Sequence, residues 1–238
     1  MDAKTAVPRR AEAMAEIRQG LAAALPMMLG MIPAALVLGA QAAQKGFSVA
    51  EVPLLTGLNF AGGSEFAAVA LWTSPPHILL IVAITFLINS RHILMGAALA
   101  PYLRHLPRRI VYPALFLMCD ESWALALVDA RRGGGFRLAH YLGLAVALYA
   151  TWVVFTALGG AIGPVFGDAR SWGLDMAFPA IFLVLLRGFW TGAAAARPWL
   201  VSLAVAVAAY LVLPGAWYVA AGALSGLAAA FLLAGSEA

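Results

Sequence analysis

Long uncharged stretches dominate the pattern of hydrophobic and polar positions along the chain. Four of them reach or exceed the roughly 20 residues that a helix needs to cross a bilayer. They are Gly20–Gln44 (25 residues), Phe66–Ser90 (25), Leu138–Gly167 (30) and Pro198–Ser236 (39). These stretches are continuous, whereas a transmembrane β-barrel has short segments of alternating polarity. The pattern therefore predicts an all-α, polytopic helical integral membrane protein.

Short polar or proline-containing links divide the chain into eight apolar segments. We place the segments at about 20–43, 52–72, 77–101, 110–129, 138–162, 173–193, 198–213 and 215–235. Because the links are too short to hold a soluble domain, residues 20–235 are predicted to form a single transmembrane domain. Residues 1–19 mix basic and acidic side chains, and we interpret them as a cytoplasmic N-terminal tail in which Glu12–Arg18 is a candidate short amphipathic helix.

The positions of lysine and arginine distinguish two topologies, because these residues accumulate on the cytoplasmic side of a membrane protein. If all eight segments cross, nine basic residues lie inside and five outside. If segments 52–72 and 110–129 re-enter instead, the link with Arg104, Arg108 and Arg109 moves inside and the count becomes twelve to two. We favour this second topology, with about 6–8 membrane segments, broken or re-entrant helices near 60–65 and 118–122, and both termini in the cytoplasm.

Composition narrows the possible functions. The chain is 63% apolar and 11% charged, whereas a soluble domain is about 45–50% apolar and about 25% charged. One cysteine and four histidines exclude a disulfide framework and a cysteine-rich metal cluster. The net charge of +4 comes from residues between the apolar segments, where they set topology, so we predict no nucleic-acid partner. No P-loop, HExxH, GxGxxG or nucleophile-elbow motif is present, so we predict no cofactor, metal site or catalytic residue.

The first polar cluster within an apolar segment is Phe60-Ala61-Gly62-Gly63-Ser64-Glu65-Phe66, which follows Asn59. Two glycines allow the backbone to leave helical geometry, and Ser64 can cap a helix that restarts there. The positive end of such a half-helix would offer N–H groups to a buried anion, and Glu65 would lie in its first turn. The alternative is a glycine packing contact with Glu65 facing water.

Two further clusters place ionisable groups at depth, where they are costly and indicate function. In Asn89-Ser90-Arg91-His92, Arg91 can pair with a buried acid or bind a carboxylate, and His92 can carry a proton, unless Arg91 only extends to the membrane surface. Asp120 and Glu121 cannot both remain ionised cheaply, so they are a candidate proton site, unless both face a cytoplasmic vestibule. We expect Arg91 to lie near one of these two acids.

A fourth cluster contains Asp175 and Pro179, with Arg187 three turns further along. Asp175 lies close to the start of its segment, so helix capping is the leading interpretation.

These clusters, in this order, resemble the AzlC-type branched-chain amino acid permease family from about Gly20 to Leu233. An aromatic-Ala-Gly-small-Ser-Gln-Phe element of that family matches residues 60–66. Its Asn-x-Arg-His-x-Leu-Tyr-Gly element matches Asn89, Arg91, His92, Leu94 and Gly96, and its Thr-Asp-Glu-x-Phe element matches Asp120, Glu121 and Trp123. In three places the chain departs from the pattern: Glu65 stands where the family usually has Gln, Cys119 where it has Thr, and Met95 where it has Tyr.

The resemblance implies an exporter of branched-chain amino acids in the cytoplasmic (inner) membrane of a bacterium, working with a small AzlD-type membrane subunit. We expect proton coupling, with Gly62, Gly63, Ser64, Glu65, Asn89 and Arg91 binding a small amino acid and Glu65, His92, Asp120 and Glu121 as candidate proton carriers. Phe60, Phe66 and Trp123 would line the apolar part of the site. Two alternatives are a passive channel or structural subunit, and an intramembrane enzyme that uses His92 with Asp120 or Glu121.

Overall fold

A computed structural model of the protein describes residues 10–131, 135–166, 196–213 and 217–234, together with positions 176, 183, 187, 190, 192 and 193. The described residues contain no β-strand, which confirms the predicted all-α class. Their α-helices are α1 (Arg10–Gln44), α2 (Glu51–Asn59), α3 (Gly62–Ala70), α4 (Ile78–Asn89), α5 (Arg91–Leu103), α6 (Arg108–Phe116), α7 (Asp120–Asp129), α8 (Leu138–Ile162), α9 (Ala196–Val212) and α10 (Trp217–Ala234).

Three helical stretches among the described residues are long and apolar enough to cross a membrane. They are α1, α8 and the combined stretch Ile78–Leu103, in which α4 and α5 are separated only by Ser90. The chain is therefore a multi-pass membrane protein. Helix α1 begins at Arg10, so the helical part of the N-terminal tail continues directly into the membrane helix. The predicted segment 173–193, with Asp175 and Pro179, lies outside the described residues except at six positions.

Helices α1 and α8 run parallel and touch backbone to backbone. At one end Arg137 Nε lies 3.0 Å from Glu16 Oε1, and at the other end Gly39 lies against the backbone of Thr156. A Cβ atom built on Gly39 would collide with the carbonyl oxygen of Thr156, and one built on Gly159 would collide with α1. Glycine is required here because small residues allow helices to approach closely in lipid. This pair forms the frame against which α2, α3 and α7 pack.

The close contact between α1 and α8 predicts that substitution by alanine has different effects on stability at two glycines of α1. In Gly39→Ala the new methyl group meets main-chain atoms that cannot rotate away, so we expect a loss of about 1–3 kcal/mol from overpacking. Gly30→Ala is the control, because an added Cβ there meets nothing within 4 Å. Thermal unfolding in detergent should give a lower midpoint for Gly39→Ala only. Equal midpoints for the two variants would contradict the tight α1–α8 contact.

Helices α2 and α3 form a re-entrant hairpin, which we call the first hairpin (51–70). Each helix has nine residues, about 14 Å at 1.5 Å per residue, so two collinear helices would place their ends about 30 Å apart. Instead the rings of Phe47 and Trp72, just outside the two ends, are 4.5 Å apart, and Lys45 Nζ donates to the carbonyl oxygen of Trp72 at 3.2 Å. The predicted helix break is confirmed, and it lies at Phe60–Ala61, just before the two glycines.

Helices α6 and α7 form the second hairpin (108–129). Leu103, just before the hairpin, and Leu127, near its end, share a buried cluster with Tyr141 in the first turn of α8. From this cluster the hairpin extends along α8. At its tip the ring of Phe116 lies 6.0 Å from the ring of Tyr149, which is halfway along α8. The break predicted near 118–122 is confirmed at 117–119, between the two helices.

The two hairpins enter from opposite ends of α8 and meet at its middle. The first enters from the C-terminal end, where Val52 packs against Gly160, and its tip brings Phe60 within 5.0 Å of the Tyr149 ring. The second enters from the N-terminal end and brings Phe116 to the same ring. This is the arrangement that the re-entrant topology requires. Which end of α8 faces the cytoplasm remains a prediction.

Candidate functional site

Three interruptions of helical structure meet near the middle of the molecule. They are the tip of the first hairpin, Ser90 between α4 and α5, and the tip of the second hairpin. Polar side chains connect them, and we call this group the polar junction: Asn59, Ser64, Asn89, Arg91 and Asp120. Interrupted helices leave backbone groups without intrahelical partners, so such a meeting point can bind a polar ligand within the membrane.

A chain of hydrogen bonds joins α4 to the tip of the first hairpin. Asn89 Nδ2 donates to Asn59 Oδ1 at 3.0 Å, and Asn59 Nδ2 donates to Ser64 Oγ at 2.9 Å. The Ser64 hydroxyl, which is fully buried, donates in turn to the carbonyl oxygen of Ala61 at 3.0 Å. These three hydrogen bonds connect Asn89 to the backbone of the break.

An ion pair joins α5 to the tip of the second hairpin. Arg91 Nη1 lies 2.8 Å from Asp120 Oδ2, which confirms the predicted pairing of Arg91 with one of the two deep acids. Two hydrogen-bonding atoms beside this ion pair remain without a partner in the described part of the chain. Among the described residues, Arg91 Nε is a buried donor and Asn89 Oδ1 a buried acceptor without a hydrogen-bond partner. Because a buried polar atom without a partner is costly, each of these two atoms is a candidate contact for a ligand.

Gly62 and Gly63 occupy the first two positions of α3. N–H groups at these positions have no carbonyl oxygen one turn earlier, and they carry the positive end of the helix dipole. Both residues are half-buried. The prediction that Ser64 caps the restarting helix was wrong. Ala61 is the residue that precedes α3, and Ser64 lies inside its first turn, bonded back to Ala61.

Glu65 lies in the first turn of α3, as predicted, and is fully buried. Its Oε1 accepts a hydrogen bond from the Ala61 N–H at 2.8 Å, and its Oε2 accepts one from Trp152 Nε1 at 2.7 Å. The carboxylate thus bridges the break to α8. A carboxylate suits this place because both of its neighbours are donors and it has only acceptors.

The second hairpin shares one feature with the first: a serine at the third helical position donates its hydroxyl to the carbonyl oxygen of the residue before the helix. Cys119 precedes α7, and the hydroxyl of Ser122 accepts from the Cys119 N–H at 3.0 Å and donates to its carbonyl oxygen at 3.1 Å. Ser122 is fully buried, like Ser64, and holds the same third helical position. Asp120 and Glu121 therefore occupy the first two positions of α7, where the helix dipole favours negative charge.

The remaining predicted residues lie around this centre. His92 Nδ1 is 3.2 Å from the carbonyl oxygen of Asn89, and Trp123 Nε1 donates to that of Met95 at 3.1 Å. Phe60 and Phe66 belong to a buried cluster with Trp152. Arg187 is exposed. Within the part of the chain that the structure describes, no three His, Cys, Asp or Glu side chains are grouped to hold a metal ion.

Two residues of α8 that sequence analysis missed complete the site. Trp152 binds Glu65, and the Tyr149 hydroxyl donates to the carbonyl oxygen of Gly57 at 2.8 Å. Both lie in the uncharged stretch Leu138–Gly167, where no charged neighbour in sequence singles them out.

Comparison with known proteins places these features in a family. The model of the family described as "AzlC protein" matches residues 26–166, which include both hairpins and the polar junction. An uncharacterized membrane protein of Archaeoglobus fulgidus is 33% identical over 72% of this chain and 75% of its own length. The branched-chain amino acid transport protein AzlC of Bacillus subtilis is 26% identical over 78% of this chain and 72% of its own.

The inner membrane protein YgaZ of Escherichia coli is 25% identical over 73% of this chain and 69% of its own length. No solved structure matches the chain. The family match covers more than half of the residues, and the sequence elements that resembled the family are those that form the polar junction. The chain belongs to the AzlC protein family.

Proposed function

We propose that the protein is a secondary transporter that exports branched-chain or similar small amino acids across the cytoplasmic membrane. The observation that carries this proposal is the pair of unpartnered buried atoms at the polar junction, Arg91 Nε and Asn89 Oδ1. One is a donor on a cation and the other is an acceptor, which is the complement of a zwitterion with one carboxylate and one ammonium group. The name of the Bacillus subtilis relative supports the substrate class.

In this proposal the substrate carboxylate binds between Arg91 Nε and the N–H groups of Gly62 and Gly63. Backbone N–H groups at the start of a half-helix bind carboxylates in membrane transporters of other folds. The ammonium group binds Asn89 Oδ1. Ser64 acts indirectly, because its hydroxyl is occupied by Asn59 and Ala61 and so holds the break in place.

We place the coupling proton among Glu65, His92, Asp120 and Glu121. Glu65 links protonation to structure, because both of its oxygens accept from N–H donors. A protonated oxygen is a poorer acceptor and has lost its charge, so the hydrogen bond to that oxygen would weaken. Proton binding at Glu65 would therefore loosen either the tip of the first hairpin or its contact with α8.

The topology of the proposed transporter follows the twelve-to-two distribution of basic residues. The N-terminal end of α8, the link with Arg104 and both termini would face the cytoplasm, and the first hairpin would enter from the opposite side. A small AzlD-type membrane subunit is the proposed partner.

Counterflow in proteoliposomes tests the proposal. Vesicles that contain the protein and unlabelled leucine should accumulate external labelled leucine transiently and saturably. An imposed pH gradient should accelerate net flux. Unlabelled valine and isoleucine should compete, while lysine should not. Parallel vesicles without protein, and vesicles with the co-expressed small subunit, give the background and the contribution of the partner.

Each outcome has a definite meaning. Flux that does not saturate and shows no counterflow would identify a channel. If neither the protein alone nor the protein with the small subunit moves any of the three amino acids, the proposed substrate class is wrong.

A further inference from the structure

Tyr149 is a single side chain that touches the tips of both hairpins. Its hydroxyl donates to the Gly57 carbonyl oxygen in the last turn of α2 at 2.8 Å. Its ring lies 5.0 Å from that of Phe60, edge to face, and 6.0 Å from that of Phe116. Each of these partners lies at or next to a helix break, so Tyr149 contacts the points where the two hairpins turn.

The backbone of Tyr149 belongs to the fixed part of the molecule. Helix α8 is held against α1 by close backbone contacts at Gly143 and Gly159, where an added Cβ would collide with α1. Each hairpin, by contrast, consists of two short helices of nine or ten residues. If the hairpin tips move, they therefore move against a tyrosine whose helix is held by α1.

The conformation of Phe60 requires support from its surroundings. Its φ is +43°, in the left-handed region that a bulky side chain rarely adopts. Such a conformation persists only where neighbouring contacts hold it. Tyr149 supplies two of them, through the ring contact with Phe60 and the hydrogen bond to the preceding turn. Loss of the Tyr149 contact would allow the tip of the first hairpin to relax.

We propose that Tyr149 is a positioning residue that couples the two hairpin tips, so that a shift of one changes the freedom of the other. The inference rests on the proposed function for its purpose, since a carrier must not open to both sides at once. The contacts show how such coupling can work. Phe60 and Phe116 both pack against the ring of Tyr149. The hydrogen bond of the Tyr149 hydroxyl fixes the orientation of that ring relative to the first hairpin.

Cys119 is the natural reporter, because it is the only cysteine in the sequence and lies at the tip of the second hairpin. The first hairpin is loosened from a distance by Val52→Ala, which removes packing against Gly160 and leaves the polar junction intact. The rate of Cys119 alkylation by N-ethylmaleimide is then measured in six purified proteins: wild type, Tyr149→Phe and the control Tyr141→Phe, each with and without Val52→Ala. Tyr149→Phe keeps the ring and removes only the hydroxyl.

Val52→Ala should raise the alkylation rate of Cys119 about fivefold in the wild-type background, since a hydrogen bond of ordinary net strength transmits a change of this size. In the Tyr149→Phe background its effect should nearly vanish. Tyr141→Phe is the matched control, because Tyr141 also lies on α8 and donates its hydroxyl to a hairpin carbonyl, that of Ala114 in the second hairpin. Val52→Ala should keep its full effect there.

An equal effect of Val52→Ala in the Tyr149→Phe and Tyr141→Phe backgrounds would overturn the coupling role of the hydroxyl. No effect in any background would overturn the coupling of the tips. Since no substrate is added, either failure is distinct from a failure of the proposed transport activity, which the counterflow measurement decides.

Discussion

In Arg91→Lys we expect leucine counterflow to fall by about a hundredfold, because one ammonium group cannot replace the two functions of the guanidinium. Arg91 binds Asp120 through Nη1 at 2.8 Å and still presents Nε, buried and without a partner, on another edge of the same planar group. Lysine can keep the ion pair with Asp120. It then has no second, fixed donor for a substrate carboxylate.

The control is Arg104→Lys, at an exposed arginine just after α5. Both variants keep the charge, so insertion and topology should be unchanged, and labelled leucine uptake can be compared at equal amounts of protein. The loss in Arg91→Lys should appear largely as a higher concentration of leucine at half-saturation. A half-saturation concentration within about twofold of wild type would show that Arg91 does not hold the substrate.

In Glu65→Gln we expect a loss of about 2–3 kcal/mol in stability together with a severe loss of transport, because a buried donor is left facing another donor. Both carboxylate oxygens of Glu65 accept from N–H groups, those of Ala61 and Trp152. An amide has only one oxygen, so its NH₂ group would point at one of them. The family pattern, which usually has Gln here, suggests that an amide fits this position, but the partners present in this chain favour the acid.

A double-mutant cycle identifies the cause. Trp152→Phe removes the indole N–H, so Glu65→Gln should cost much less in the Trp152→Phe background than in the wild type. The control is Glu51→Gln in the same hairpin, where one oxygen, Oε2, accepts from the Ser48 N–H at 2.7 Å and the amide oxygen can replace it. Thermal unfolding in detergent is measured for the wild type and for four variants, which are the two single substitutions, their combination and Glu51→Gln. Additive effects of the Glu65 and Trp152 substitutions would mean that their hydrogen bond is not the reason.

The helix breaks could be predicted from sequence because their residues contradict the segments around them. Gly62 and Gly63 weaken a helix, and Asp120 and Glu121 are costly in an apolar stretch, so each marks a change of structure. The same cost predicted the pairing of Arg91 with a deep acid. A residue that is unfavourable in its own segment needs a particular kind of partner or backbone, and this requirement can be recognised from the sequence.

Trp152 and Tyr149 gave no such signal. An aromatic residue in an apolar helix is compatible with its neighbours whether it faces lipid or holds a functional group, so its sequence context does not distinguish these cases. Their partners lie 87 and 92 residues away in the chain, and only the path of the first hairpin brings them together. The exact start of α3 was missed for a related reason, because the conformation of Phe60 depends on its contact with α8.

The parallel contact of α1 with α8 also has a consequence for biosynthesis. Glu16 and Arg137, which lie at one end of the contact, are 121 residues apart in sequence. At about 5–20 residues per second, a ribosome needs roughly 6–24 s to make that length of chain. During that time α1 is already in the membrane, with its glycine face covered by lipid or by another protein. Helix α1 therefore lacks its main neighbour until α8 is made, and the hairpins must be accommodated before the frame that holds them is complete.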